Sequence, residues 1–90
     1  MKDGRRRDAV FDPVFREDLK FRVSTNPRTA LKVLRLVDAV LPDPFDGPGK
    51  PEPLRHRLAG TWSRRIDKEH RLVYQVDDDR VYVLAAGYHY

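Results

Sequence analysis

Residues 41–54 read LPDPFDGPGKPEPL and hold five of the chain's seven prolines and two of its five glycines. Proline has no backbone N–H and clashes with the preceding helical turn, so neither a helix interior nor a central strand can run through this stretch. The apolar period differs on its two sides. Before it, apolar residues recur at three- and four-residue spacing; after it, they alternate. A chain of 90 residues makes one domain. The stretch, with its centre at 42–53, is therefore read as a stiffened loop laid over the fold, not as a linker between domains.

The first part begins with RRDAVF at 6–11, a short strand whose Arg6 and Arg7 continue a basic run from Arg5. Asp12-Pro13 is a helix start: a capping carboxylate, then proline at the first helical position. Phe15, Leu19 and Val23 mark the expected buried stripe of that helix. STNP ends it, and Asn26-Pro27 repeats the start signal. The second helix carries Ala30, Val33, Leu34, Val37, Val40 and Leu41 on its apolar stripe. Two helices with so short a link form a hairpin.

From Thr61 the period becomes two. TWSRRID, HRLVYQVD and RVYVLAAGYHY read as strands, with DKE and DDD as turns. Short turns between consecutive strands predict an antiparallel meander. The fold class is α+β, in the order β-α-α-β-β-β, with the helix hairpin on one face of an antiparallel sheet. A turn centred on Lys68 places Arg65 opposite Arg71. It puts Trp62, Ile66, Leu72 and Tyr74 on the other, core-facing side.

Composition narrows the function classes. The chain has no cysteine, which excludes a thiolate nucleophile and a cysteine zinc site and suits a reducing compartment. The start MKDGRRRDAVFD lacks the apolar run of a signal peptide, and VYVLAA is too short to span a bilayer. A cytoplasmic protein is expected. The net charge is +4, with ten Lys/Arg against seven Asp/Glu in residues 1–45, seven against four in 46–71, and one against three in 72–90. An arginine-rich excess in the first two segments suits a polyanionic partner.

Two arginines directly opposite in a sheet repel one another. Either an anion sits between Arg65 and Arg71, or Asp67, Glu69 or solvent neutralises them. Glu52 and Arg55 lie on or beside the proline loop, next to His56; His89 and Tyr90 end the quoted sequence. His56, His70 and His89 lack the spacing of metal ligands, so no metal site is expected. Converging on one sheet face, a carboxylate, arginines, a histidine and a terminal tyrosine suit cleavage of an RNA phosphodiester. A base takes the 2′-OH proton, arginines hold the phosphoryl charge, an acid protonates the leaving oxygen, and aromatics stack on bases.

GKPEPL at 49–54, WSRRIDKEHRLVY at 62–74 and the closing YHY resemble the Txe/YoeB toxins of bacterial type II toxin–antitoxin modules, in the RelE-like superfamily. The resemblance is strong over 43–90; residues 9–42 match in helix order and length. It implies a single toxin domain over 1–90, with residues 1–8 as a basic extension. It implies an mRNA interferase that cuts mRNA in the ribosomal A site by 2′-OH attack, with no metal and no cofactor. The partners it implies are a YefM/Axe-like antitoxin, the ribosome and mRNA, operator DNA through the antitoxin, and a second copy. By motif position Glu52 is the general base, Arg65 and Arg71 are catalytic cations, Arg55 binds phosphate, His89 is the general acid and Tyr90 holds the substrate. Arg55 stands where the family more often has lysine, Thr61 where it usually has an aromatic, and Gly87 where it commonly has a basic residue. Two other readings share the fold: a ParE-like toxin that does not cut RNA, and a co-repressor acting with its antitoxin.

Overall fold

The computed structural model describes residues 6–55 and 59–87. Strand β1 (Asp8–Phe11) leads into α1 (Pro13–Thr25) and α2 (Pro27–Val40); β2 (Glu52–Pro53), β3 (Thr61–Arg65), β4 (Arg71–Val76) and β5 (Arg80–Gly87) follow. Both helix starts form as their dipeptides predict. Asp12 accepts the Val14 N–H at 2.9 Å, with Pro13 in the first helical position. Asn26 closes α1 through its own N–H to the Arg22 carbonyl, and its side chain caps α2 at Thr29. One residue thus serves both helices.

The strands form one sheet in the order β1-β5-β4-β3-β2. The meander β3-β4-β5 is antiparallel as expected, but β1 runs parallel to β5, so the sheet is mixed rather than antiparallel throughout. The two-helix excursion after β1 allows this, because it returns the chain across the sheet as a hairpin cannot. The proline loop also contributes a strand. Glu52 pairs with Ser63 and Pro53 with Trp62, on the sheet edge where a missing proline N–H costs little.

The helices cover one face. Phe15 of α1 and Val33, Leu36, Val37 and Val40 of α2 pack on Ile66, Leu72, Tyr74, Val81, Val83 and Ala86. Two positions expected in the core lie outside it: Val23 is 55% and Leu34 41% exposed. On α1 the sheet-facing stripe runs Phe15, Asp18, Leu19 and Arg22, and its polar members bond to β5. On α2 the buried position is Leu36, one face over from Leu34.

Strand β5 carries a bulge. Tyr74 pairs with Val83 and Val73 with Ala85, so Leu84 is an extra residue. It resets the alternation. Val81 and Val83 face the core before it, Ala86 after it, and Ala85 and Gly87 turn to the face away from the helices.

Candidate functional site

The face away from the helices carries a transverse row. Arg65 of β3 pairs with Arg71 of β4, and Arg71 with Gly87 of β5. The neighbouring row is Glu52, Ser63, Val73 and Ala85. Paired residues share a face, so Glu52, Arg65 and Arg71 are brought together as the sequence expected. Arg71 Nη1 lies 2.7 Å from Glu52 Oε1 and donates to Ser63 Oγ at 3.2 Å. Arg71 thus meets a carboxylate from across β3, Glu52, which the sequence reading had not paired with it. Asp67 is engaged within the turn between β3 and β4, accepting from the Glu69 and His70 N–H groups and contacting the His70 ring at 2.8 Å. Desolvation acts to raise the Asp67 carboxyl, but these contacts outweigh it and hold the group below the usual carboxylate range.

Arg65 is exposed and lines a cleft of about 350 Å³ with Lys32 of α2, Lys50 of the proline loop and Lys68 of the turn. The floor includes Leu36 and Ile66. Lys50 adopts a positive φ of 51°, the one non-glycine residue to do so among the described residues. Asp67 also lines the cleft, so four cations, Arg65 among them, and one carboxylate surround it.

The neighbouring arginine takes the opposite direction. Arg64 is fully buried on the core face, a role the sequence reading did not assign. Its Nε donates to Tyr74 Oη at 3.0 Å, Nη1 to the Pro48 carbonyl at 3.2 Å, and Nη2 to the Asp43 and Asp46 carbonyls at 2.6 and 2.9 Å. Tyr74 Oη donates to the Pro44 carbonyl at 2.7 Å. Burial pushes the Tyr74 phenol above its ordinary value, though the Arg64 guanidinium opposes this. The strand period was a usable signal, since it places Arg64 on the same side as Trp62 and Leu72.

The end of β5 is held from α1. Ala86 lies beyond the reach of β1, whose pairing stops at Val83. Its N–H donates to Asp18 Oδ2 at 2.9 Å, and its carbonyl accepts from Arg22 Nε and Nη2 at 3.0 and 2.8 Å. Two helix side chains thus stand in for a neighbouring strand, one residue before Gly87. At the other end of the sheet, Arg7 bonds the Asp77 carbonyl at 2.8 Å and lies over the Phe45 ring at 5.8 Å. Arg7 is therefore committed to the fold. Arg55 is exposed in the turn after β2 and is not brought to the Glu52–Arg71 pair by any contact among the described residues. His56, His89 and Tyr90 lie outside the described residues.

A family model described as the YoeB-like toxin of bacterial type II toxin-antitoxin system matches residues 11–90. A Mycobacterium bovis protein named toxin YoeB is 51% identical over 84 residues, covering 93% of this chain and 99% of that one. A solved YoeB/ParE toxin from Agrobacterium tumefaciens superposes with a TM-score of 0.85 at 39% identity, over 92% of this chain and 99% of that one. A Staphylococcus aureus YoeB has been solved as a dimer (TM-score 0.84, 37% identity, 94% and 99% covered) and in a YoeB–YefM complex (TM-score 0.80, 38% identity, the same coverage). With two helices on a mixed sheet and the Glu52–Arg71 row on its other face, the chain belongs to the YoeB-like toxins of bacterial type II toxin–antitoxin systems.

Proposed function

We propose that this toxin is a ribosome-dependent mRNA endoribonuclease acting in the bacterial cytoplasm. The observation that carries the reading is the Glu52–Arg71 contact at 2.7 Å with Arg65 paired across from Arg71. A phosphodiester arriving between the two guanidiniums competes with Glu52 for Arg71 and leaves that carboxylate beside the ribose. Glu52 then accepts the 2′-OH proton. The O2′–phosphorus bond forms, the phosphorus–O5′ bond breaks, and the arginines hold the charge that develops on the phosphoryl oxygens. His89 is the proposed donor to the leaving 5′-oxygen and Tyr90 the proposed aromatic platform. Both follow Gly87, the residue paired with Arg71, within three positions. Arg55 and the cations of the cleft extend the electrostatic track for the RNA backbone. The products are a 2′,3′-cyclic phosphate and a 5′-hydroxyl.

The partners follow from the same membership. A YefM-like antitoxin and a second copy are proposed here, as in the S. aureus complex and dimer. Phe21, Leu31 and Leu34, all exposed on the helices, supply apolar surface for such contacts. The test is a purified translation system with one defined mRNA, run with and without ribosomes, and with the product ends mapped. Ribosome-dependent cuts ending in cyclic phosphate are expected. Arrest of translation with intact mRNA would overturn the reading.

A further inference from the structure

We propose that Arg64 is a positioning residue for the cutting site, acting through the proline loop on Glu52; the proposal rests on the endoribonuclease reading above. The chemistry of the loop explains the need. Residues 41–54 contain five prolines, each a carbonyl without an N–H. Such a segment is rich in acceptors and poor in donors, so it cannot satisfy itself with a backbone ladder. A guanidinium is the complement: five N–H donors in a planar fork and no acceptor.

The structure joins the two. The carbonyls of Asp43, Asp46 and Pro48 converge on Arg64, and the Pro44 carbonyl on Tyr74 Oη, which in turn accepts from Arg64. All of these groups lie on one buried side chain and its phenol partner. The loop's glycines are shaped around this centre. A Cβ at Gly47 would stand 3.0 Å from Arg64 Nη1, and one at Gly49 would stand 3.1 Å from Arg64 Cβ. Both glycines have positive φ, 126° and 87°.

From this anchorage the chain runs directly into the site. The Gly49 carbonyl accepts from the Arg65 N–H at 2.6 Å. Three residues later Glu52 pairs with Ser63 and reaches Arg71. The strand alternation of β3 therefore does two things at once. Arg64 points inward and fixes the loop, while Ser63 and Arg65 flank it on the other face and receive the loop's exit. Without Arg64 the carbonyl cluster loses its donors, and Glu52 loses the frame that sets its distance from the reacting 2′-oxygen. Misplacement of about 1 Å at a reacting group costs on the order of 100-fold in rate.

The test is a double-mutant cycle in single-turnover cleavage on programmed ribosomes, using Arg64→Met, Glu52→Gln and the pair, each shown folded by circular dichroism. Tyr74→Phe, which keeps the ring and removes the hydroxyl, is the milder second variant should Arg64→Met fail to fold. Arg64→Met is expected to lower the saturated rate by about 100-fold and to leave half-saturation within about threefold. In the Glu52→Gln background the same substitution is expected to cost less than about threefold, because the residue it positions is already disabled. Tyr74→Phe is expected to lose about tenfold with the same non-additivity. Chymotrypsin should cut after Phe45 faster in the Arg64 variant than in the wild type. If the wild type cuts and the losses from Arg64 and Glu52 multiply, the positioning role is wrong and the endoribonuclease reading stands. If the wild type leaves RNA intact under all conditions, that reading fails and takes the proposal with it.

Discussion

Arg64 and Arg65 are chain neighbours with opposite surroundings. One is fully buried among carbonyls and a phenol, and the other is exposed beside a second arginine. The comparison extends to the two faces of the sheet they stand on. On the helix-covered face Ile66, Leu72 and Tyr74 are completely buried. On the other face Arg65, Arg71 and Glu52 lie within reach of solvent. Burial of apolar area stabilises the first face, at roughly 25 cal/mol per Å². The second face places like charges across from one another, which favours nothing in the fold by itself and suits an anionic substrate. The lesson is a division of labour at single-residue alternation, with a structural residue and a site residue sharing one strand.

That division can be broken from either side. Leu72→Ala, on the buried face, should lower unfolding free energy by about 2–5 kcal/mol in urea denaturation. Cleavage per folded molecule should remain at the wild-type level. Arg71→Ala should do the reverse, slowing single-turnover cleavage by roughly 10²–10³-fold while the denaturation midpoint moves little. A comparable rate loss in both variants would show that the faces are not separable. Asp18→Ala acts at the border between the two faces. It leaves the buried Ala86 N–H without its acceptor, at a cost of about 1–3 kcal/mol, and should loosen the end of β5 in hydrogen exchange.

The smallest effect concerns pH. Burial raises the Tyr74 phenol above its ordinary value, so the folded state holds that proton more tightly than the unfolded chain. The stability linked to it is fully present below about pH 10 and is lost as pH rises through the folded value. Denaturation midpoints should therefore fall on the alkaline side, and Tyr74→Phe should remove that part of the slope. A slope unchanged by the substitution would assign the titration elsewhere.

Local chemistry made part of this legible. Asp12-Pro13 and Asn26-Pro27 each carry a complete helix start within two residues, so both helices begin where expected. The Arg65–Arg71 register was readable because the turn between them is short and its geometry leaves few alternatives. The parallel pairing of β1 with β5 was not, since nothing in either strand states the direction of a partner seventy residues away. The bulge at Leu84 leaves no mark in an apolar run, yet it decides which way Gly87 faces. Val23 sits at apolar spacing but on the wrong side, because Asp18 and Arg22 took the sheet-facing positions of α1 for backbone bonds to Ala86; on α2 the buried stripe runs through Val33, Leu36, Val37 and Val40 and leaves Leu34 beside it. Of the candidate site, the pairing of Arg65 with Arg71 was legible by pattern and Glu52 by its motif, while the contact between Glu52 and Arg71 was not. The strand period carried the inward direction of Arg64 but not its partners, which are carbonyls supplied by a loop sixteen to twenty-one residues earlier.

The most direct test of this account compares the wild type with Glu52→Gln in single-turnover cleavage on programmed ribosomes, with unfolding measured on the same preparations. Glu52→Gln is expected to cleave about 10²–10⁴-fold more slowly with the stability of the fold retained. Cleavage by Glu52→Gln at the wild-type rate would contradict it.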